Sequence, residues 1–282
     1  MIKVVTDSTA DLPVGIAGEL GIEVLPVYII LNDKSFRDGM DMNTDEFYQR
    51  LVSAEVLPTT SQPTIADFQN IYNKLASQCQ GIVSVHISSK ISGTYNTALQ
   101  AVKSLKGNCP VEVIDSQFNS IGLGLVVIGA ARMAKAGKNL KEVAREAKLA
   151  ISQVRMLGVF DTLKYVIAGG RINKSVGSIL SILNIKPMLT FKNGEVVRAG
   201  VARTYSKAME KLIEFVKRNL PVQDLAIVHS AAFAAAEKLK QELGKIFPED
   251  RILVNQLGAA LGVHGGPGMI LIALRKAPTN PT

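Results

Sequence analysis

The chain has 282 residues, 47% of them hydrophobic and 20% charged, with a mean hydropathy of +0.20 and a formal net charge of +8. So apolar a chain offsets its conformational entropy only by packing into cores, which excludes a disordered or low-complexity protein, and its length suits two domains. With no Trp and only 5% aromatics the interior is aliphatic, and such an interior is either plain core or the housing of an aliphatic ligand.

The first half alternates strand and helix signals. A β-branched run over residues 2–6 predicts a strand, and residues 22–30 predict a second. Thr64-Ile65-Ala66-Asp67 resembles a capping box, after which Phe68, Ile71, Tyr72 and Leu75 recur at helical spacing. Strands follow over 81–87 and 111–114, then helices over 121–136 and 140–152. This alternation predicts an α/β fold, a largely parallel sheet covered on both faces, with ligands beyond the C-terminal ends of its strands.

The second half has another rhythm. Strands are predicted over 158–163 and 188–191, and Asn193-Gly194 turns the chain into a hairpin with 195–202. Ser206 is placed as the cap of a helix carrying Met209, Leu212, Ile213 and Val216 on one stripe. A strand over 225–229, a helix over 234–247 and strands over 252–256 and 269–274 complete an α+β layer. We place the boundary near residue 153, giving domains 1–153 and 154–282. Within the second domain an apolar stretch with Val176, Ile179, Leu180, Ile182 and Leu183 is compatible with a buried helix. The chain ends in a polar segment, 278–282, expected to be mobile.

The charge divides unevenly. Residues 1–153 hold 14 Lys and Arg against 15 Asp and Glu, whereas residues 154–282 hold 18 against 9. The basic residues are dispersed along helices without interleaved aromatics, which argues against a nucleic-acid partner and for an acidic partner or an anionic ligand. Cys79 and Cys109 are too few for a disulfide framework or a zinc site. The N-terminus enters a strand directly, and the longest apolar stretch, residues 121–131, falls short of the roughly 20 residues that span a bilayer. A soluble cytoplasmic protein without a transmembrane segment is expected.

Four polar clusters fall at predicted strand ends or turns: residues 6–13, 58–64, 88–95 and 262–268. Hydroxyls and free N–H groups at such places bind anions, although each cluster taken alone also reads as a cap or a turn. Gly-x-Ser-x-Gly, Walker and His-Glu-x-x-His motifs are missing, and Gly122-Leu123-Gly124 reads as close packing. Of the three histidines, His86 suits a structural role, His229 ends a strand, and His264, among glycines, is the functional candidate. A hydrolase using Ser92 and His264 is the alternative, without a nameable third member.

Thr6-Asp7-Ser8-Thr9-Ala10-Asp11-Leu12-Pro13, Thr60-Ser61-Gln62-Pro63, Ser92-Gly93-Thr94-Tyr95, Ile114-Asp115-Ser116, Gly169-Gly170-Arg171-Ile172, Ile185-Lys186-Pro187 and His264-Gly265-Gly266-Pro267-Gly268 occur in this order. Together they resemble the DegV family of bacterial fatty-acid-binding proteins over nearly the whole chain. The resemblance implies an α/β domain followed by an α+β domain, with one long-chain fatty acid between them and no other cofactor, metal or catalytic residue. It implies an apolar acyl-chain tunnel in the second domain. The carboxylate is then held by Thr60, Ser61 and Ser92, with Gly93 in the same motif, His264 close by and Arg171 at the site. Arg203 matches a basic residue at the rim or on a partner-facing surface. The implied partner is a fatty acid kinase that makes an acyl phosphate for phospholipid synthesis, with transient membrane-surface contact. Lys90, where many members have glycine, and Ile167-Ala168, where charged residues are common, depart from the pattern.

Overall fold

The structure, a computed structural model, describes residues 1–105, 109–172 and 185–278. The apolar stretch containing Val176 and Leu183 and most of the C-terminal segment lie outside the described residues.

The chain begins with β1 (Ile2–Asp7), α1 (Ile16–Leu20) and β2 (Ile22–Leu25). The apolar run predicted as one strand over 22–30 breaks at Pro26, which cannot donate to a ladder. The remainder becomes β3 (Tyr28–Leu31), which pairs antiparallel with β4 (Lys34–Arg37). α2 (Thr44–Ser53) then leads to β5 (Thr59–Ser61), the other neighbour of β3. This three-stranded sheet is absent from the sequence-based expectation, because its strands are short and partly polar. α3 (Ile65–Ala76) starts on the expected capping box: Thr64 accepts from the Asp67 amide at 3.1 Å, and Asp67 accepts from the Thr64 amide at 2.8 Å. β6 (Gly81–His86), α4 (Thr94–Lys103), β7 (Val111–Asp115), α5 (Ser120–Lys135) and α6 (Leu140–Gln153) complete the first half.

The main sheet runs β2-β1-β6-β7, all parallel. Alternation along its strands serves both faces. Val5 and Ile82 pack on Phe68, Tyr72 and Leu75 of α3, while Val4, Val83 and Val85 pack on α5 and α6.

The second half forms β8 (Val154–Val159), α7 (Lys164–Ala168), β9 (Lys186–Lys192), β10 (Glu195–Ala202), α8 (Tyr205–Asn219), β11 (Val222–His229), α9 (Phe233–Gly244), β12 (Ile252–Gln256), α10 (Ala259–Gly265) and β13 (Ile270–Lys276). Its sheet runs β10-β9-β8-β13-β11-β12, antiparallel except for the β11–β12 pair. The predicted hairpin is present, with Asn193 at φ 52° and Gly194 at φ 82°, the positive values a type I′ turn needs. Three details differ from expectation. β8 lies over 154–159 rather than 158–163, because α6 passes into it without a loop and the helical pattern conceals its start. α8 is capped by Thr204, which accepts from the Lys207 amide at 3.2 Å, rather than by Ser206. The glycine-rich cluster after residue 262, expected as a turn, begins inside α10. There Gly262 lets the helix close on α2, since a Cβ would lie 2.7 Å from a Phe47 ring carbon.

α5 joins the two sheets. It is buried from Ser120 to Ala131 and packs on β1 and β6 on one side and β8, β11 and β13 on the other. Its glycines permit that double contact: a Cβ on Gly122 would lie 2.0 Å from the Met156 sulfur, and one on Gly124 2.7 Å from the Ala10 carbonyl oxygen. Among the described residues, no helix is long and apolar enough to cross a membrane.

Candidate functional site

A cavity of about 580 Å³ lies where the first-half loops meet the second sheet. Part of its lining is polar. Thr60 and Ser61 come from edge strand β5, Ser92 and Gly93 from the turn before α4, His264 from the last turn of α10, and Arg171 from just beyond α7. Its apolar lining includes Met156, Leu189, Phe191, Val196 and Leu271 of the second sheet. Six residues expected at the site therefore line one cavity. Arg203, expected at a rim or partner surface, is exposed after β10 and does not line it.

Local rules place each group. Thr60 sits opposite Ile29 on β3, which fixes the direction of its side chain. Ser92 accepts from the Thr94 amide at 3.3 Å, with its Oγ 2.9 Å from the Thr94 hydroxyl, so it serves the first amide of α4 while facing the cavity. Gly93 leaves room for Gln62: a Cβ there would lie 2.0 Å from Gln62 Oε1. Gln62 is tied in turn to the Thr97 hydroxyl at 2.9 Å. The hairpin tip docks on the same loops, with the Ser88 hydroxyl donating to the Gly194 carbonyl at 2.7 Å.

His264 links the two halves. Its Nε2 lies 2.9 Å from Thr60 Oγ1, 204 positions away in sequence. Its Nδ1 is buried without a partner among the described residues and faces Gly169, where a Cβ would lie 2.1 Å away. Burial, and secondarily the charge of Arg171, push the imidazole down to about 4, so it is neutral at physiological pH. One proton arrangement serves an anion here. With Nε2–H donating to Thr60 Oγ1 and Nδ1 a bare acceptor, the Thr60 and Ser92 hydroxyl hydrogens are free to be donated to an anion. That is cheaper than stranding a buried N–H.

The hydrolase geometry is not formed. His264 rests on Thr60 rather than on Ser92, and among the described residues no carboxylate orients its Nδ1. Among the described residues, no group of three or more His, Cys, Asp or Glu side chains is placed to hold a metal ion.

The model of an uncharacterised protein family, DegV, matches residues 1–277. The chain belongs to the DegV family. A DegV domain-containing protein of Caldanaerobacter subterraneus subsp. tengcongensis is 32% identical over 269 residues, 94% of this chain and 95% of its own. Protein DegV of Bacillus subtilis is 30% identical over 274 residues, 95% and 97% of the two chains. Among solved structures, a DegV family protein of Thermus thermophilus described for its fatty acid binding superposes with a TM-score of 0.90 at 34% identity, over 98% of this chain and 99% of that one. The fatty acid binding protein DegV of Bacillus subtilis superposes with a TM-score of 0.87 at 29% identity, over 98% and 99%.

Within this DegV chain one of the two departures from the pattern lines the cavity and the other does not. Lys90 lines it, and its backbone amide donates to Ser88 Oγ at 3.2 Å. Ile167 packs against the central core. Sequence reasoning did not single out Asn119 and Ser120, which lead into α5 and line the cavity. The signal was available: they end a polar run that follows β7, at the C-terminal edge of a parallel sheet.

Proposed function

We propose that this protein binds one long-chain fatty acid, with the carboxylate against Thr60, Ser61 and Ser92 and the acyl chain along the second sheet. The observation that carries the reading is one cavity whose lining joins the hydroxyls of Thr60, Ser61 and Ser92 to aliphatic side chains of the second sheet. Burying a sixteen-carbon chain at about 0.8 kcal/mol per methylene supplies roughly 12 kcal/mol before the costs of association. The head group then needs hydrogen bonds more than a counter-ion, as neutral hydroxyls provide, with the imidazole orienting Thr60. Solved DegV structures described as fatty acid binding support the same reading.

In this reading the protein is a carrier and not an enzyme. It presents the carboxylate to a fatty acid kinase, which forms the acyl phosphate used in phospholipid synthesis. The division near residue 153 then has a functional sense: first-half loops bring Thr60, Ser61 and Ser92 to the head group, and the second half adds Arg171 and His264 there and supplies the acyl tunnel. The basic second half, with exposed Arg203, suits an acidic kinase surface or transient contact with anionic lipid in the cytoplasm.

Native mass spectrometry of the purified protein is expected to show a co-purified fatty acid, or saturable uptake of added palmitate or oleate. A ligand-free spectrum that neither lipid changes rules the reading out. Gly169→Ala tests the head group. Gly169 has φ −70°, which alanine adopts freely, so the strain is the methyl against the His264 ring. Displacing the ring from Thr60 is expected to weaken palmitate binding about tenfold. Unchanged affinity would detach His264 from the site.

A further inference from the structure

α10 carries His264 but does not cap itself. Its N-cap is Gly258, which offers no side chain, so the amides at its start need partners from elsewhere. The first half supplies them. The Gly258 amide donates to Asp11 Oδ1 at 2.9 Å, and the Ala260 amide donates to Asp38 Oδ1 at 3.2 Å. The Tyr48 hydroxyl donates to the Leu257 carbonyl at 3.1 Å, and Asn255 Nδ2 donates to the Asp11 carbonyl at 2.9 Å. Asp11 Oδ2 and the Ser120 hydroxyl oxygen are hydrogen-bonded at 2.5 Å. Ser120, Leu257 and Ala260 all line the cavity, so this network stands directly behind its wall.

Asp11 and Asp38 are 6% and 5% exposed, and neither forms an ion pair among the described residues. Gly258 makes room for both: a Cβ there would lie 2.9 Å from Asp11 Oδ1 and 3.6 Å from Asp38 Oδ2. A serine or asparagine at residue 258 would cap the helix at less cost than two buried carboxyl groups. What the aspartates add is a rigid tie from the first half. His264 is six residues beyond Gly258, about 9 Å along the helix axis, and a short helix passes a shift at its start on to its end. A displacement of about 1 Å would open the Thr60–His264 contact beyond hydrogen-bond length.

We propose that Asp11 and Asp38 are positioning residues for the head-group end of the cavity, holding the start of α10 so that His264 meets Thr60. The inference rests on the fatty-acid reading above. Burial, only partly offset by the bonds from Ser120 and Gly258, pushes the Asp11 carboxyl up to about 8, so it holds its proton at neutral pH. Burial also raises Asp38. The ionisable groups facing Asp11 are Asp7 on β1, Asp38 after β4 and Tyr48 on α2, none of them a cation. Above pH 8 ionised Asp11 therefore adds an uncompensated negative charge behind the carboxylate site.

The test compares palmitate with 1-hexadecanol, delivered on the same carrier, for the parent, Asp11→Ala, Asp38→Ala, Asp11→Asn and Asp38→Asn at pH 7 and pH 9. Each alanine variant is expected to weaken palmitate binding about tenfold at pH 7 and to leave hexadecanol within twofold, with the asparagine variants close to the parent. From pH 7 to pH 9 the parent loses palmitate affinity and Asp11→Asn does not. Equal losses for both ligands, or no loss for either, would overturn the proposal. Should the alanine variants not fold, the pH profile of Asp11→Asn decides, and a slope equal to the parent's overturns it. A parent that binds neither ligand refutes the fatty-acid reading itself, whereas a parent that binds palmitate beside unaffected variants refutes only the role of the aspartates.

Discussion

The double variant Thr60→Ala/Ser92→Ala is expected to bind palmitate or oleate at least a hundredfold more weakly than the parent, and each single variant about tenfold more weakly. A hydrogen bond to a charged group contributes about 1.5–3 kcal/mol, which is roughly ten- to a hundredfold in affinity. The two effects need not add, because both hydroxyls serve one carboxylate. Thr60→Ala carries a second cost: with Nδ1 already unpartnered, it also strands His264 Nε2. Neither change touches a backbone ladder. Thr60 lies on edge strand β5, and Ser92 precedes Gly93, the N-cap of α4. The thermal midpoint is therefore expected to move by only a few degrees, which separates loss of ligand from loss of fold. Titration calorimetry or displacement of a fluorescent fatty acid measures the effect. Two single variants with the parent's affinity would show that the carboxylate is held elsewhere.

His86→Ala is expected to be the most damaging single substitution for stability, at about 3–5 kcal/mol. His86 and Asp7 are fully buried, with His86 Nδ1 2.9 Å from Asp7 Oδ2 and Nε2 2.7 Å from Ser84 Oγ. The Tyr72 hydroxyl continues the chain to Ser84 at 2.8 Å. At the other end Asp7 accepts the amides of Ile87 at 3.1 Å and Thr9 at 3.2 Å. Every polar atom in this run has a partner, and removing the imidazole takes one from Asp7 and one from Ser84 at once, in a core that no water reaches readily. The ring also stands edge-on to Phe68 at 5.0 Å, so its loss leaves a void against α3. At roughly 2–4 °C per kcal/mol for a chain of this order, the thermal midpoint should fall by about 6–20 °C. A fall of only a degree or two would mean that the network rearranges without cost.

Much of the fold was legible because it obeys local rules. The Thr64–Asp67 capping box, the Asn193-Gly194 turn and the β12 strand stand where the residues place them. The parallel first sheet and the mixed second one follow from the order of the periodic segments. Misreadings occur where two signals share residues. The strand signal of β8 is fused to α6, and Pro26 divides an apolar run between two different sheets. The β3–β4–β5 sheet and α10 were missed for another reason: a short strand or a helix of small residues carries too little periodicity to stand out, and tertiary contacts hold both in place.

The site divides in the same way. Thr60, Ser61, Ser92, Gly93, Arg171 and His264 were singled out by their motifs and by the family those motifs resemble, but residue types alone left each as a cap, a turn or a ligand group. What the sequence by itself determined is the inventory: an aliphatic interior, hydroxyl-rich loops at strand ends, a neutral first half and a basic second half. Only the tertiary structure decided that these loops converge. Thr60 and His264 meet across 204 positions, Asp11 and Gly258 across 247 and Asp7 and His86 across 79. Capping, turn and periodicity rules act over a few residues, whereas these contacts depend on how two sheets pack around the glycine-lined faces of α5. The low, neutral state of His264 is of the same kind, since it follows from burial, which is a property of the packed molecule rather than of any segment.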